Sequence, residues 1–233
     1  MLKTITYDEK IAVKIELSNI RNYPKHIHKD FQLFYVLEGE GYAKLAAEQG
    51  MSPEEALGKE AEQVPVGSDG LMTVLNWLAN VDARYQKGIM IGFDGRHTRG
   101  HIYRSILEAV AMTMKGHVTD MCNEVNAKTD KLIITGGGSN SDLFMQIFAD
   151  VFDIPVVRNE VNGAAGLGSA ICAAVAAGVY DSFEDAVAHM VRIKDTFTPI
   201  PENVEVYKKM IPVYSEITKY TDPVLKKSYE IFD

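Results

Sequence analysis

The chain has 233 residues, 46% of them apolar and 24% charged, and a formal net charge of −8 at pH 7. These values fit a globular protein with a real core, while the acidic balance argues against general affinity for phosphate backbones or anionic lipid. No run of about 18 apolar residues is present to span a bilayer, and the opening MLKTITYDEK has no apolar h-region of a secretory signal. Cys122 and Cys172 stand outside any CxxC pair and read as reduced, buried thiols, which makes the cytoplasm the expected compartment.

The first forty residues read as strands. In KIAVKIEL, Ile11, Val13, Ile15 and Leu17 alternate with polar or small neighbours; in FQLFYVLEGEG, Phe31, Leu33, Tyr35 and Leu37 share one face. Composition then shifts to Ala and Glu, which places a boundary near Gly41 and Tyr42: a β-rich segment over 1–41 and a second domain over 42–233. Ser52-Pro53-Glu54-Glu55 has the form of a helix start, and Pro65 with Gly67-Ser68-Asp69-Gly70 that of a loop.

From His101 to Met121, apolar residues at 103, 106, 107, 110, 114, 118 and 121 follow helical spacing. Residues 132–135 read as a short buried strand. Leu143, Phe144, Ile147, Phe148, Val151 and Phe152 mark a further helix, and IPVV at 154–157 the next strand. NGAAGLGSAICAAVAAG predicts a small-residue helix ending at Gly178, its small residues permitting close helix packing. Ser182 caps another helix through Val191, and the tail from Glu202 predicts an amphipathic helix interrupted at Pro212 and Pro223. Strand and helix alternating in this order predict an α/β layer fold with parallel strands.

Gly136-Gly137-Gly138 stands between the strand at 132–135 and the helix that follows. Glycines there let a nucleotide approach the backbone, the helix start offers unpaired N–H groups, and Ser139, Asn140 and Ser141 add polar atoms at the mouth. The same residues would also suit a tight turn with no ligand. A P-loop is excluded, since no GxxxxGK[ST] occurs.

TGGGSNSDLFMQIFADVFDIPVV followed by EVNGAAGLGSAICAAVAAGVY resembles the adenosine-binding region of the FGGY carbohydrate kinases. VPVGSDGL, IGFDGRHTRGHIYRSILEAVAMTM and HMVRIKDTFTPIPENVEVYKKMIPVY resemble the same family's C-terminal lobe, in the same order. The resemblance spans roughly residues 60–220. It implies a ribonuclease-H-like, actin-type ATPase lobe, here with a short N-terminal β segment, and phosphoryl transfer from ATP, carried with Mg²⁺, to a pentulose or polyol. Gly136, Gly137 and Gly138 would lie against the adenosine, with Ser139 beside them. Ser141 would stand where some relatives place an Asn that bonds the base. Gln146 and Asp150 match the family helix in what is expected to be a structural role, and Arg96, His97 and Arg99 are expected to pack and cap.

The family's Asp-x-Gly-Thr-type phosphate turn and its catalytic Asp belong to an N-terminal lobe, and Asp-x-Gly-[Thr/Ser] occurs nowhere in this chain. The resemblance therefore implies the ATP-binding half of a kinase, inactive alone, with no catalytic residue of its own and with sugar bound only where a complete cleft forms. HIHKDFQLFYVLEG resembles the first motif of cupin barrels, in particular the sugar-sensing arm of AraC-type regulators. Gln32 stands where metal-binding cupins have Glu, and His26 and His28 lack further ligands, so no metal is expected. The abrupt joint fits a recombined, truncated or engineered chain, or a natural lobe whose first strands mimic the cupin motif. The alternative function is a non-enzymatic sugar-sensing or scaffold module with a cupin-like arm. Expected partners are adenine nucleotide and, through uncovered apolar surface, a second copy of the chain, with no nucleic acid and no membrane.

Overall fold

The structure, a computed structural model, describes residues 50–78 and 81–232. The expected β-rich segment, its cupin-like motif, His26, His28, Gln32 and the boundary near Gly41 lie outside the described residues. The chain divides into two compact units, Met1–Leu57 and Gly58–Asp233.

In chain order the elements are α1 (Pro53–Glu62), β1 (Met72–Val74), β2 (Ile89–Ile91), α2 (Arg99–Glu124), β3 (Leu132–Ile134), α3 (Asp142–Phe152), β4 (Val156–Asn159), α4 (Ala164–Ala176), α5 (Phe183–Met190), β5 (Ile193–Phe197) and α6 (Pro201–Phe232). The start of α1 is the one its sequence predicts. The Ser52 N–H donates to the Glu55 carboxylate at 2.7 Å and the Glu55 N–H to the Ser52 hydroxyl at 3.1 Å, a reciprocal capping box. Ser182 caps α5 as expected, accepting the Asp185 N–H at 3.1 Å.

Two small sheets form among the described residues. β1 and β2 are antiparallel, and a second sheet has the order β3-β4-β5. β3 and β4 run parallel, as the alternation predicts, with Leu132, Ile133 and Ile134 opposite Val156, Val157 and Arg158. β5 joins β4 antiparallel and has no counterpart in the sequence reading. Two helices, α4 and α5, connect β4 to β5, and a pair of helices returns the chain reversed where a single crossover helix would keep it parallel. The brevity of IKDTF, with Ile193 largely exposed, leaves no alternation clear enough to signal it.

The core lies where α2, α3, β4 and α6 meet. Ala111, Met112, Met145, Ile147, Phe148, Ala149, Val151, Val156 and Tyr207 form one buried cluster. Fully burying each large apolar side chain of this kind contributes about 1.5–3 kcal/mol, so the helical stripe of α3 carries much of the stability of this unit. Phe144, Phe148 and Phe152 follow one another along α3, with ring centroids 4.7 and 5.8 Å apart.

Four expectations are corrected. α6 runs unbroken through Pro212 and Pro223. Each proline removes one backbone hydrogen bond, but Val204, Tyr207 and Ile217 bury the helix on both sides of Pro212 and hold it in line. β3 is not fully buried: among the described residues it is an edge strand, and Ile133 is 57% exposed. A Cβ added at Gly163, Gly166 or Gly168 would meet nothing within 4 Å, so these glycines serve no close packing among the described residues. Cys172, on the same helix, is exposed rather than buried, while Cys122 is half-buried with its sulfur 3.1 Å from the Thr129 hydroxyl.

Candidate functional site

The glycine run follows the C-terminal end of β3, the end of a parallel pair where α/β proteins leave a crevice. Gly136 has φ 86° and ψ −172°, a backbone conformation open in practice only to glycine. It turns the chain into one short 3₁₀ turn, Gly137–Asn140, which leads into α3.

The two serine hydroxyls of this turn are used within it and at the start of α3. Ser139 is fully buried; its N–H and its hydroxyl both donate to the Gly136 carbonyl, at 3.1 and 2.7 Å. The Ser141 N–H donates to the Gly138 carbonyl at 3.1 Å, and the Ser141 hydroxyl accepts the Phe144 N–H at 3.2 Å as the N-cap of α3. The hydroxyls that the sequence offered as polar atoms at the mouth therefore shape the turn and start the helix.

The three glycines differ in what they do. A Cβ at Gly138 would come within 2.9 Å of the Phe144 ring, so Gly138 lets the turn close onto α3. A Cβ at Gly136 or Gly137 would meet nothing within 4 Å. The backbone at those two positions faces open space, so a flat group could lie directly against it.

Two features that the sequence reading passed over hold the turn from either side. The Gly136 N–H donates to the Asn162 carbonyl at 2.8 Å, and the Asn162 amide donates to the Asn140 side chain at 2.9 Å. From the interior, Arg158 at the end of β4 donates to the Ser139 carbonyl at 2.8 Å. The same guanidinium pairs with Asp142, the first residue of α3, at 2.9 Å, and with both carboxylate oxygens of Asp195 on β5. These bonds hold the Asp195 carboxyl below its usual range and push the Arg158 guanidinium above its own, the hydrogen bonds outweighing the cost of burial in each case. An Arg closing an apolar strand was the only available sequence signal; Asp195 lies 37 positions further on.

The other residues singled out from the sequence lie in structural roles. Gln146 donates to Asp150 at 2.8 Å and to the Thr198 carbonyl at 2.9 Å. Asp150 in turn accepts from the Ile200 N–H and the Asn203 amide, tying α3 to the start of α6. Arg96 pairs with Asp94, and Arg99 with Glu60. Thr98 caps α2 reciprocally with His101, and the buried His97 ring accepts the Asp94 N–H at 2.9 Å. Among the described residues no group of three His, Cys, Asp or Glu could hold a metal ion, and no helix is long and apolar enough to cross a membrane.

Comparison with known proteins supplies the context for this turn. The profile of the FGGY family of carbohydrate kinases, C-terminal domain, matches residues 44–177. An uncharacterized sugar kinase of Escherichia coli K12, YgcE, is 53% identical over 194 residues, covering 83% of this chain and 39% of that protein. A ribulokinase of Bacillus licheniformis is 35% identical over 205 residues, covering 84% of this chain and 36% of that one. The crystal structure of xylulose kinase from Rhodospirillum rubrum superimposes with a TM-score of 0.67 at 31% identity, covering 79% of this chain and 37% of that one. The chain thus spans less than two fifths of the length of each. The fold is the one expected, a lobe of the ribonuclease-H-like, actin-type ATPase class.

Proposed function

The chain belongs to the FGGY family of carbohydrate kinases, and from that premise we propose that it forms the adenine-nucleotide-binding part of an enzyme that passes the γ-phosphoryl group of ATP to a sugar hydroxyl. The carrying observation is the open backbone over Gly136 and Gly137, a surface without side chains beside the C-terminal end of β3. Adenosine is the part of the nucleotide that suits it. The helix start beside it is already capped by Ser141, and the Asp142 carboxylate stands 72% exposed in the first turn, where a phosphate would meet like charge. In this reading Gly136, Gly137 and Gly138 form the floor, and Ser139 and Ser141 maintain its shape. Mg²⁺ would arrive with the phosphates of ATP.

The names of the relatives, ribulokinase and xylulose kinase, favour a ketopentose-type sugar. The phosphate turn and the catalytic carboxylate are assigned to another lobe by family resemblance, so the chain alone is proposed to bind nucleotide without turning it over. Phosphoryl transfer depends on positioning and charge stabilisation from both walls of a cleft.

Calorimetric titration with ATP and ADP, repeated on Gly137→Val, tests this. A Cβ at 137 meets no protein atom, so the variant should fold normally and lose nucleotide affinity. Unchanged affinity would remove the turn from the nucleotide site. Sugar-dependent ADP release at a rate typical of intact kinases would overturn the claim of inactivity.

A further inference from the structure

The glycine turn is bonded from the interior by one buried guanidinium. Arg158 is 5% exposed and lies under the turn, its guanidinium 5.2 Å from the centroid of the Phe197 ring. It joins three segments: the turn through the Ser139 carbonyl, the first residue of α3 through Asp142, and β5 through Asp195. Val157 pairs with Ile133 and Arg158 with Ile134 on the β3 side, while Arg158 pairs with Asp195 on the β5 side, so the sheet sets where the guanidinium stands. A register irregularity follows at once, between Arg158 and Asn159.

The geometry suits arginine in particular. A planar fork can hold a carboxylate with two parallel bonds and still turn a third N–H to a carbonyl, whereas a lysine ammonium is a single point charge. If the fork is lost, the Ser139 carbonyl has no partner from β4. The rest of that residue's hydrogen bonding is already spent on Gly136. A buried acceptor left unpaired drives local rearrangement, and here the segment free to rearrange is the floor itself.

We propose that Arg158 is a positioning residue for nucleotide binding: it holds Gly136–Asn140 in the ligand-accepting shape through the Ser139 carbonyl and Asp142, without touching the ligand. This rests on the reading of that turn as the adenosine floor.

The test compares the unaltered chain with Arg158→Lys and Asp195→Asn. It measures amide hydrogen exchange of residues 136–140, ADP affinity by calorimetry, and thermal unfolding. Expected for Arg158→Lys is exchange at the turn faster by about tenfold or more, with exchange in the α3 core unchanged, and ADP binding weaker by about tenfold. Asp195→Asn, which loosens the same guanidinium without removing it, should show smaller changes in the same direction, and it carries the comparison if Arg158→Lys does not fold. Exchange at 136–140 that is unchanged in the folded variant overturns the proposal. So does faster exchange with full ADP affinity, which would make the brace structural only. If the unaltered chain itself binds no ADP while exchange responds as expected, the nucleotide reading falls, and with it the role in binding; the mechanical brace alone survives.

Discussion

Arg104 and Glu108, one turn apart on α2, form an ion pair closed off from solvent: Nε lies 2.9 Å from Oε1, and the Glu108 side chain is fully buried. The same carboxylate accepts the Gly67 N–H and the Ser68 hydroxyl, both at 2.8 Å, and the Tyr207 hydroxyl at 2.9 Å. Arg104 also donates to the Ala61 and Val64 carbonyls. One buried pair thus gathers the end of α1, the turn at 67–70, α2 and α6. Gly67, Ser68, Asp69 and Gly70 all have positive φ, a strained path for Ser68 and Asp69 that these bonds help to hold.

Removing one partner of this network should be costly, because the other charge stays buried. Glu108→Gln should lower stability by about 3–5 kcal/mol, and Tyr207→Phe, which removes only one donor, by about 1–2 kcal/mol. Urea denaturation followed by circular dichroism measures both. The double variant should fall short of the sum, since the two side chains share one hydrogen bond. Equal losses for the two single variants would show that Glu108 is not the centre of the network.

The glycines of the candidate site should separate by stability. Gly136→Ala must enter a conformation reserved for glycine and should cost about 1–3 kcal/mol. Gly138→Ala pushes into the Phe144 ring and should cost a similar amount, about 1–3 kcal/mol. Gly137→Ala meets nothing and should stay within about 0.5 kcal/mol of the unaltered chain. Thermal melting of the three side by side checks the order.

Two carboxylates should keep their charge to lower pH than an ordinary carboxylate. The Asp195 carboxyl is held down chiefly by its hydrogen bonds from Arg158, so its contribution to stability is present above the ordinary carboxylate value. That contribution disappears as pH falls through the lower value of the folded state. Asp195→Asn should therefore flatten the acid limb of a stability–pH curve, most visibly below about pH 4. Asp94, bonded by the side chain and backbone of Arg96, should titrate at about 2 in the folded chain. NMR titration should move it back toward 3.8 in Arg96→Ala, and added salt should shrink the shift because this pair is exposed.

Pro212 stands inside a continuous helix, so Pro212→Ala should restore a backbone donor and relieve crowding. The expected gain is about 1–3 kcal/mol, read as a higher melting temperature. A loss would mean that the helix follows a path that alanine does not favour.

Local chemistry, which a short window of sequence contains, was legible along most of the chain. Ser52 and Glu55 announced α1, Ser182 announced α5, and the apolar spacing from Leu143 to Phe152 announced α3, because caps and helical stripes depend on residues three or four apart. The turn at Gly136–Ser141 was found the same way, and its linked neighbours pointed to the family.

Tertiary packing settled what depends on distant partners. Arg158 meets Asp195 from 37 positions away, and Glu108 meets Tyr207 from 99, distances at which no spacing rule operates. Burial could not be read locally either. Ile133 and Cys172 look like core residues, yet each is exposed, because burial depends on what a neighbouring element covers and not on the side chain itself. The hydroxyls of Ser139 and Ser141 make the same point at the site. As residues they suit a ligand; in the fold they are committed to the turn, and the open face is left to Gly136 and Gly137.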